Sequence, residues 1–192
     1  MKYEILKDEF IEFDGRKLYR IRALKDFHNV KKGKVGGYIA SERNLSHEGE
    51  AWVYGNACVS GDARISGDAR VYGDAQVYGD AWVSGNAQVY GNARVYGDAQ
   101  VYGNAQVSGN AQVLNRHSVV WFSNVGTENG TLTVYCGKNG LIATRGCFTG
   151  SVEEFLAKSA EVHNEKTKRE YELLIEVAHS RLKKAQGNIG SE

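Results

Sequence analysis

The sequence lacks an excess of charge of either sign, because 24 basic and 23 acidic residues leave a formal net charge of +1. Balanced charge provides no general attraction to a nucleic acid polymer or to an anionic membrane, so we expect neither as a partner. The hydrophobic share of 42% is nevertheless sufficient for a folded interior. Any charged ligand must therefore be bound by a local cluster of residues.

Long apolar segments are also missing. The chain contains no apolar stretch of the roughly 18 residues that a membrane-spanning helix needs. Charges interrupt every short apolar run at the N-terminus, which reads M-K-Y-E-I-L-K-D and is unlike a signal peptide. We therefore expect a cytoplasmic protein that does not associate with a membrane.

The cysteine pattern excludes two kinds of stabilising site. Cys58, Cys136 and Cys147 are odd in number and lack C-x-x-C spacing, so neither a disulfide framework nor a zinc site is predicted. Cys147 lies in R-G-C-F-T-G, where a nucleophile is conceivable. No histidine is tied to it by sequence, and an ordinary buried thiol is the favoured interpretation.

Catalytic motifs are missing as well, since the sequence contains no P-loop, no G-x-S-x-G and no H-E-x-x-H. The five histidines are His28, His47, His117, His163 and His179. His47 and His117 flank the repeat region described next, where we favour structural roles for both. We therefore expect that the protein is not an enzyme, and we assign no catalytic residue, no cofactor and no metal.

The middle of the chain is a regular repeat. From Ala51 to Arg116 it consists of eleven six-residue units of the form A-x-[VI]-[YS]-G-[DN], and only the last unit lacks the glycine. Alternation along a strand directs the first and third residues of a unit to one face and the second to the other. Glycine followed by Asp or Asn tolerates the positive φ of a tight bend. Each unit is therefore predicted to be a short strand that ends in a corner.

An aliphatic residue followed four places later by a small one, as in Val53 and Ala57, resembles the hexapeptide-repeat family. The resemblance implies a left-handed parallel β-helix, in which three units form a triangular coil of about 18 residues. Eleven units would form almost four coils, and three weaker units, Gly33–Tyr38, Ile39–Asn44 and Leu45–Glu50, would extend them. The resemblance also implies a homo-oligomer, most often a trimer, and names acyl transfer as an alternative activity.

At this period the outward side chains stack into three ladders and the corner side chains into columns. The ladders are Trp52, Arg70, Gln88 and Gln106; Cys58, Gln76, Arg94 and Gln112; and Arg64, Trp82 and Gln100. The corner columns are Tyr54, Tyr72 and Tyr90; Tyr78 and Tyr96; and Ser66, Ser84 and Tyr102. Two of the three edges are therefore expected to be aromatic.

The surface of the coil has an unusual composition. Between Ala51 and Arg116 there is no Lys and no Glu, only Arg and Asp among Gln, Asn, Tyr and Trp. Flexible charges normally cover a solvated face, whereas Arg, Tyr and Trp are enriched in contacts between partners. We therefore expect one or two faces to meet sister chains. The column of Asp62, Asp80 and Asp98 indicates either a cation site or, as we favour, caps for the corner amides.

The ladders also offer a binding surface for a small ligand. An indole ring beside a guanidinium can stack on a planar group and pair with a phosphate. We name as candidate ligand-binding residues Trp52, Arg70, Arg64, Trp82, Tyr72, Tyr90, Gln88 and Arg94. The alternative is that the same side chains hold subunits together.

The flanks are predicted to cover the open ends of the coil, which would otherwise pair with further strands. Residues 1–32 are predicted to form an N-terminal β cap, with a hairpin of strands at 2–6 and 16–24. The coil occupies residues 33–117. Residues 118–192 are predicted to form a C-terminal α+β cap that also serves oligomerisation.

Strands and two helices are predicted within the C-terminal cap. The strands occupy residues 118–122, 131–136 and 141–145, with Cys136 beside Leu141. One helix begins with a capping box at Ser151 and Glu154, and a longer one follows Asn164. The apolar stripe of the longer helix is expected to pack on the end of the coil or on another subunit; it comprises Tyr171, Leu174, Ile175, Ala178 and Leu182. Residues 187–192 are expected to be disordered.

Three segments resemble uncharacterised proteins of bacteriophages and prophage-bearing bacteria. They are G-R-K-L-Y-R-I-R-A-L at 15–24, V-V-W-F-S-N-V-G-T-E-N-G-T-L-T at 119–133 and R-G-C-F-T-G at 145–150. The resemblance supplies no activity and no site, and implies only a bacterial host cell as the setting. With no catalytic group in view, we favour a non-catalytic oligomeric binding protein that sequesters a small anionic, nucleotide-like immune signal. The alternatives are a hexapeptide-repeat acyltransferase and a structural or protein-inhibiting module.

Overall fold

The computed structural model describes residues 1–186, which fold as a β-solenoid of about four coils between two caps. The elements in chain order are β1 (Tyr3–Phe13), β2 (Arg16–Ala23), β3 (Val35–Ile39), β4 (Trp52–Val53), β5 (Cys58–Val59), β6 (Arg64–Ile65), β7 (Arg70–Val71), β8 (Gln76–Val77), β9 (Trp82–Val83), β10 (Gln88–Val89), β11 (Arg94–Val95), β12 (Gln100–Val101), β13 (Gln106–Val107), β14 (Gln112–Val113), β15 (Val119–Val125), β16 (Gly130–Gly137), β17 (Gly140–Arg145), β18 (Phe148–Ser151), α1 (Val152–Val162) and α2 (Glu165–Gln186). The predicted mainly β solenoid is confirmed, whereas its left-handed sense stays a prediction.

Each six-residue unit forms a two-residue strand and a corner, as the sequence predicts. The first and third residues of every unit, from Ala51 to Val113, are at most 1% exposed and fill the interior. The corner glycines have positive φ, and at Gly79, where φ is +70°, a Cβ would lie 2.9 Å from the backbone nitrogen of Gly97. Glycine is therefore needed both for the bend and for the close approach of the next coil.

Successive coils pair in parallel and form three walls. The first wall contains β4, β7, β10 and β13; the second contains β3, β5, β8, β11 and β14; the third contains β6, β9 and β12. Paired residues are 18 apart, as in the pairing of Arg64 with Trp82 and of Trp82 with Gln100. The three predicted ladders are confirmed, one on each wall.

The weaker units extend the coil with one irregularity. Tyr38 pairs with Cys58 and Leu45 pairs with Ile65, so these partners are 20 residues apart instead of 18. The two additional residues lie between Leu45 and Ala51, after which the separation returns to 18. A short 3-10 helix at Glu42–Asn44 precedes this irregular stretch.

An N-terminal hairpin closes the start of the solenoid. Asp14 and Gly15 join β1 to β2 with φ values of 48° and 68°, and β2 pairs antiparallel with β3 at the edge of the second wall. This arrangement matches a tight two-residue turn, for which Asp-Gly is a preferred sequence. The predicted hairpin is confirmed, although β1 is longer than the sequence indicated.

Side-chain donors satisfy carbonyl groups of the first coil, which has no complete coil before it. Lys2 Nζ donates a hydrogen bond to the Ala51 carbonyl at 2.8 Å, and the Tyr3 hydroxyl donates to the Leu45 carbonyl at 2.8 Å. The Asn44 side-chain amide donates to two carbonyls of the next coil. Burial of the ammonium group lowers the pKa of Lys2 to about 8.

The last coil has the opposite requirement, because its N–H groups need acceptors. Thr133 Oγ1 accepts from the Gln106 N–H at 3.0 Å, and the Tyr135 hydroxyl accepts from the Ser108 N–H at 3.0 Å. The same Tyr135 hydroxyl forms a 2.6 Å hydrogen bond with Thr144 Oγ1. Hydroxyls of the C-terminal cap therefore take the place of the next coil.

The C-terminal cap is a four-stranded antiparallel sheet, β15 to β18, covered by two helices. One side of the sheet, with Val119 and Tyr135, joins the core of the coil. The other side, with Leu132 and Val134, forms a second core with α1 and α2. The predicted register is confirmed around Cys136, whereas β18 was not predicted because it is only four residues long.

Both helices begin where the sequence predicts. Ser151 Oγ accepts from the Glu154 N–H, and Glu154 Oε2 accepts from the Ser151 N–H. Asn164 Oδ1 accepts from the Thr167 N–H at 2.9 Å at the start of α2.

The apolar stripe of α2 packs on the sheet, which corrects the expectation that it would contact the end of the coil. Neither helix within residues 1–186 is long and apolar enough to cross a membrane. The disorder predicted for residues 187–192 lies outside the described residues.

Replacing Tyr135 with phenylalanine should destabilise the fold. The change removes the acceptor for the buried Ser108 N–H, so we expect the free energy of unfolding to fall by about 1–3 kcal/mol in urea denaturation. Tyr96→Phe is the matched control, because Tyr96 stacks on Tyr78 at an outer corner and should change stability by less than about 0.5 kcal/mol. Equal losses in the two variants would contradict the capping role of Tyr135.

Candidate ligand-binding site

The third wall carries an open cleft with a volume of about 740 Å³. We call it the third-wall cleft and define it by Arg43, Ser46, Arg64, Trp82 and Gln100, which line it. The last three are the third ladder, whereas Arg43 lies in the 3-10 helix and Ser46 lies in the irregular stretch that follows it. The cleft therefore combines a regular wall with one irregular border.

Trp82 provides the aromatic surface of this cleft. Its side chain is 49% exposed, in contrast to the buried residues on either side of it along the chain. Its indole N–H donates to Ser66 Oγ at 3.2 Å, which sets the orientation of the ring against the corner of the coil below. In the ladder it stands between Arg64 and Gln100, so a stacking plane, a guanidinium and an amide lie on successive coils.

Charges of both signs surround the tryptophan. The guanidinium-bearing residues are Arg43 and Arg64, and the carboxylates are Asp62 and Asp80. A guanidinium can pair with a phosphate, and a carboxylate can accept hydrogen bonds from sugar hydroxyls. The cleft therefore offers partners for the anionic, planar and hydroxyl parts of one small ligand.

The aspartate column does not act as the sequence indicated. The Asp80 N–H donates to the Gly97 carbonyl at 2.8 Å, so this corner amide is satisfied by the next coil. Among residues 1–186, no hydrogen bond from a corner amide reaches the carboxylates of Asp62, Asp80 or Asp98. Asp98 instead pairs with Arg116, with 3.4 Å between its Oδ2 and the Arg116 Nε. No group of three or more His, Cys, Asp or Glu in this part of the chain is arranged to hold a metal ion.

The first wall exposes fewer candidate ligand-binding residues than the sequence indicated, because the N-terminal cap covers its first coil. Trp52 is fully buried, with its ring packed edge-on against Phe27 at 5.4 Å and Tyr3 at 6.1 Å between centroids. The expectation that Trp52 presents a stacking plane is therefore corrected. Arg70 contacts the His28 ring, and His28 pairs with Glu50, so the cap also occupies the second residue of this ladder.

The remaining candidates are engaged with one another or lie on other walls. Tyr72 and Tyr90 stack at a corner with 4.8 Å between ring centroids, and the Tyr72 hydroxyl donates to Gln88 Oε1 at 3.0 Å. This confirms an aromatic corner column. Arg94 is exposed on the second wall, beside a separate groove that the tip of the N-terminal hairpin borders. Of the eight candidates, only Arg64 and Trp82 come together in the third-wall cleft.

His47 and His117 were predicted to be structural, and the structure places them in different environments. His47 Nδ1 accepts from the Lys2 backbone N–H at 3.2 Å, and its ring stacks on Tyr3 at 4.3 Å. Burial lowers the pKa of His47, in keeping with the predicted structural role. His117, in contrast, is exposed on the surface after the last coil, which corrects the expectation for this residue.

The three cysteines are free thiols in very different surroundings. Cys58 and Cys136 are buried, and burial raises the pKa of Cys58 to about 11 and also raises that of Cys136. Cys147 is exposed in the turn between β17 and β18, which corrects the prediction of a buried thiol. Among residues 1–186, no hydrogen bond joins Cys147 to a histidine.

Sequence reasoning missed Arg43 and Ser46, because they lie in weak units where the register changes. The only signal was their position beside the first regular units. Their place at the border of the cleft depends on the two additional residues after Leu45, which the hexapeptide period does not describe.

Comparison with known proteins supports the repeat fold. A family model described as the YdcK beta solenoid repeat matches residues 63–77, 87–103 and 99–115. These segments lie within the coils and together make up less than half of the chain, so the similarity concerns the repeats and not the caps. A search of the curated proteins found no match. The chain is therefore a β-solenoid repeat protein.

Thiol labelling should distinguish the three cysteines in the folded protein. With iodoacetamide at about pH 8, we expect rapid modification of Cys147 alone, because burial protects the other two thiols and keeps them protonated. Peptide mass spectrometry would locate the adduct. The unfolded protein in urea is the control, in which all three thiols should react, and rapid labelling of Cys58 in the folded protein would contradict this burial.

Proposed function

We propose that the protein is a non-catalytic, oligomeric binding protein that sequesters a small anionic, nucleotide-like ligand in the third-wall cleft. The observation that carries this proposal is the half-exposed Trp82 ring next to Arg64 on the third wall. The ligand class follows from chemistry, since a base stacks on the indole and a phosphate pairs with the guanidinium. Asp62 and Asp80 would accept hydrogen bonds from a sugar.

The hydrogen bonding of the third wall supports a binding role for Trp82. Backbone hydrogen bonds join the strand that carries Trp82 to both neighbouring coils, and the Trp82 indole N–H donates to Ser66 Oγ. Side chains held in place lose little freedom when a ligand binds, which favours tight sequestration. The proposed setting is the cytoplasm of a bacterial host cell, with an immune signal of a defence system as the ligand, and that setting comes from the phage resemblance.

Loss of the stacking plane should weaken binding without disturbing the fold. We expect Trp82→Gln to raise the Kd for the sequestered ligand about tenfold or more, since base stacking on an aromatic ring contributes about 1–3 kcal/mol. Gln is a conservative replacement because Gln100 occupies the same ladder position one coil further on. Native mass spectrometry of the purified protein would identify a retained ligand, and calorimetry against cyclic dinucleotides and ADP-ribose-type signals would measure Kd.

Arg64→Gln should weaken binding by a similar factor, because it removes the phosphate partner. Arg169→Gln is the matched control, since Arg169 lies on the surface of α2 and pairs there with Glu172. The proposal would be refuted if the purified protein retains no nucleotide signal, binds none of those added to it, and does not block a defence system in cells.

The proposed oligomer is a trimer formed through the faces of the coil. In light scattering at micromolar concentration we expect a mass near three times the 21.2 kDa of the chain. A monomer would refute this part of the proposal. The Trp82→Gln variant distinguishes a subunit interface from a ligand site on the third wall. If the variant no longer forms a trimer, Trp82 belongs to the interface. If it remains a trimer but loses the ligand, Trp82 belongs to the ligand site.

Acyl transfer is the second candidate, favoured by the exposure of His117 near the end of the coil. A base in such a position would be open to a substrate, although no hydrogen bond within residues 1–186 orients its imidazole ring. Turnover of acetyl-CoA that is lost in His117→Gln would favour transfer over sequestration.

A further inference from the structure

A second cleft is bordered by the last coil, β15 and α2, and its volume is about 690 Å³. We call it the C-terminal cleft and define it by six of its lining residues, which are Tyr102, Arg116, His117, Trp121, Ser180 and Arg181. They come from two corners of the coil, from β15 and from the C-terminal half of α2. Ligand sites often occupy such junctions between packed units.

The charge of this cleft differs from that of the other surfaces. Arg116 and Arg181 line it, and no carboxylate lies among its lining residues in the described part of the chain. The third-wall cleft balances its two arginines with two aspartates, and the groove beside the hairpin tip contains three aspartates. The C-terminal cleft is therefore the most electropositive of the three.

Arg116 keeps most of its capacity to bind an anion. Its nearest charged partner is Asp98, at 3.4 Å between Arg116 Nε and Asp98 Oδ2. The two side chains are 57% and 54% exposed, and an ion pair so open to water is weak. Asp98 therefore leaves Arg116 open to pair with a phosphate.

An aromatic surface borders the charged groups. Tyr102 is 51% exposed and meets Trp121 edge-on, with 4.5 Å between ring centroids and an interplanar angle of 85°. The Trp121 ring reaches the corner of the coil at Gly103, where a Cβ would lie 3.2 Å from the indole nitrogen. The Trp121 indole therefore packs against the coil at Gly103, and the Tyr102 ring remains exposed to solvent at the edge of the cleft.

The backbone that carries these side chains is fixed by the two cores. Leu182, next to Arg181, is buried in the core between α2 and the sheet. Val119, near His117 and Trp121, is buried in the core of the coil. The backbone positions of the basic and aromatic residues are therefore fixed before any ligand arrives.

We propose that the C-terminal cleft binds a nucleoside diphosphate, with its phosphates on Arg116 and Arg181 and its base on Tyr102. This inference extends the proposed function to a second site with its own residues. His117 lies beside the arginines and can donate a hydrogen bond to a phosphate oxygen. The aromatic ring of Tyr102 favours a ligand with a planar base over a free inorganic anion, which has no group to stack on it.

Titration calorimetry with three probes tests the site, using ADP, inorganic pyrophosphate and adenosine on the full chain. We expect ADP to bind, pyrophosphate to bind more weakly, and adenosine to bind at least about tenfold more weakly than ADP, since it lacks the charged contacts. Adenosine binding equal to that of ADP would overturn the proposal, as would undetectable ADP binding at millimolar concentration.

Arg181→Gln and Arg116→Gln should each raise the Kd for ADP about tenfold. Arg169→Gln on the same helix is the matched control and should leave the Kd unchanged, because Arg169 is engaged with Glu172 away from the cleft. All three arginines are exposed, and thermal denaturation would verify that each variant is folded. Unchanged ADP affinity in both cleft variants would overturn the proposal.

Tyr102→Ser tests the base contact separately. Serine occupies the same corner one and two coils earlier, at Ser84 and Ser66, so the replacement suits the fold. We expect the Kd for ADP to rise about fivefold or more and the Kd for pyrophosphate to stay constant. Equal effects on both probes would overturn the assignment of the base to Tyr102.

These measurements distinguish the failure of this site from the failure of the proposed function. If no immune signal binds but ADP binds and Arg181→Gln weakens it, the sequestration of a signal fails and the C-terminal cleft stands. If a signal binds in a manner that depends on Trp82 while ADP does not bind, the third-wall cleft stands and the C-terminal cleft fails.

Discussion

Hydrogen bonding between the backbones of successive coils is the constraint on which the whole structure depends. Each strand of the coil, from β4 to β14, is only two residues long, so none of these strands is stable alone and each requires partners in the neighbouring coils. The pairing places every residue above an equivalent one, which explains why small Ala and branched Val or Ile recur inside. It also explains the corner glycines, since at Gly79 the next coil leaves no room for a Cβ.

The same constraint creates a difficulty at both ends, and the caps resolve it with opposite chemistry. Carbonyls at the start of the solenoid lack donors from an earlier coil and receive hydrogen bonds from Lys2, Tyr3 and Asn44. The last coil exposes N–H groups and receives acceptors from Thr133 and Tyr135. A buried backbone group without a partner would cost as much as several good contacts gain, so these few side chains determine where the solenoid can stop.

Once the ends are closed, the caps also decide which parts of the walls a ligand can reach. The N-terminal cap buries Trp52 and contacts Arg70, whereas Trp82, in an equivalent position within its own unit, remains half exposed. At the other end α2 borders the C-terminal cleft, which Arg181 and Arg116 both line. A uniform repeat therefore acquires distinct surfaces only through the non-repeating segments that flank it.

The sequence by itself determined the solenoid, its 18-residue period, the three ladders, the hairpin turn and the starts of both helices, because each depends on residues close together in the chain or at a constant spacing. It did not reveal that Trp52 is covered, that Cys147 is exposed or that Arg43 borders a cleft. The burial of Trp52 depends on the distant Tyr3 and Phe27, and the position of Arg43 depends on a two-residue change of register after Leu45. Cys147 is exposed because it lies in the turn between β17 and β18. Local patterns decide which way a side chain points from its strand, and only the packing of the caps decides whether that direction leads to solvent.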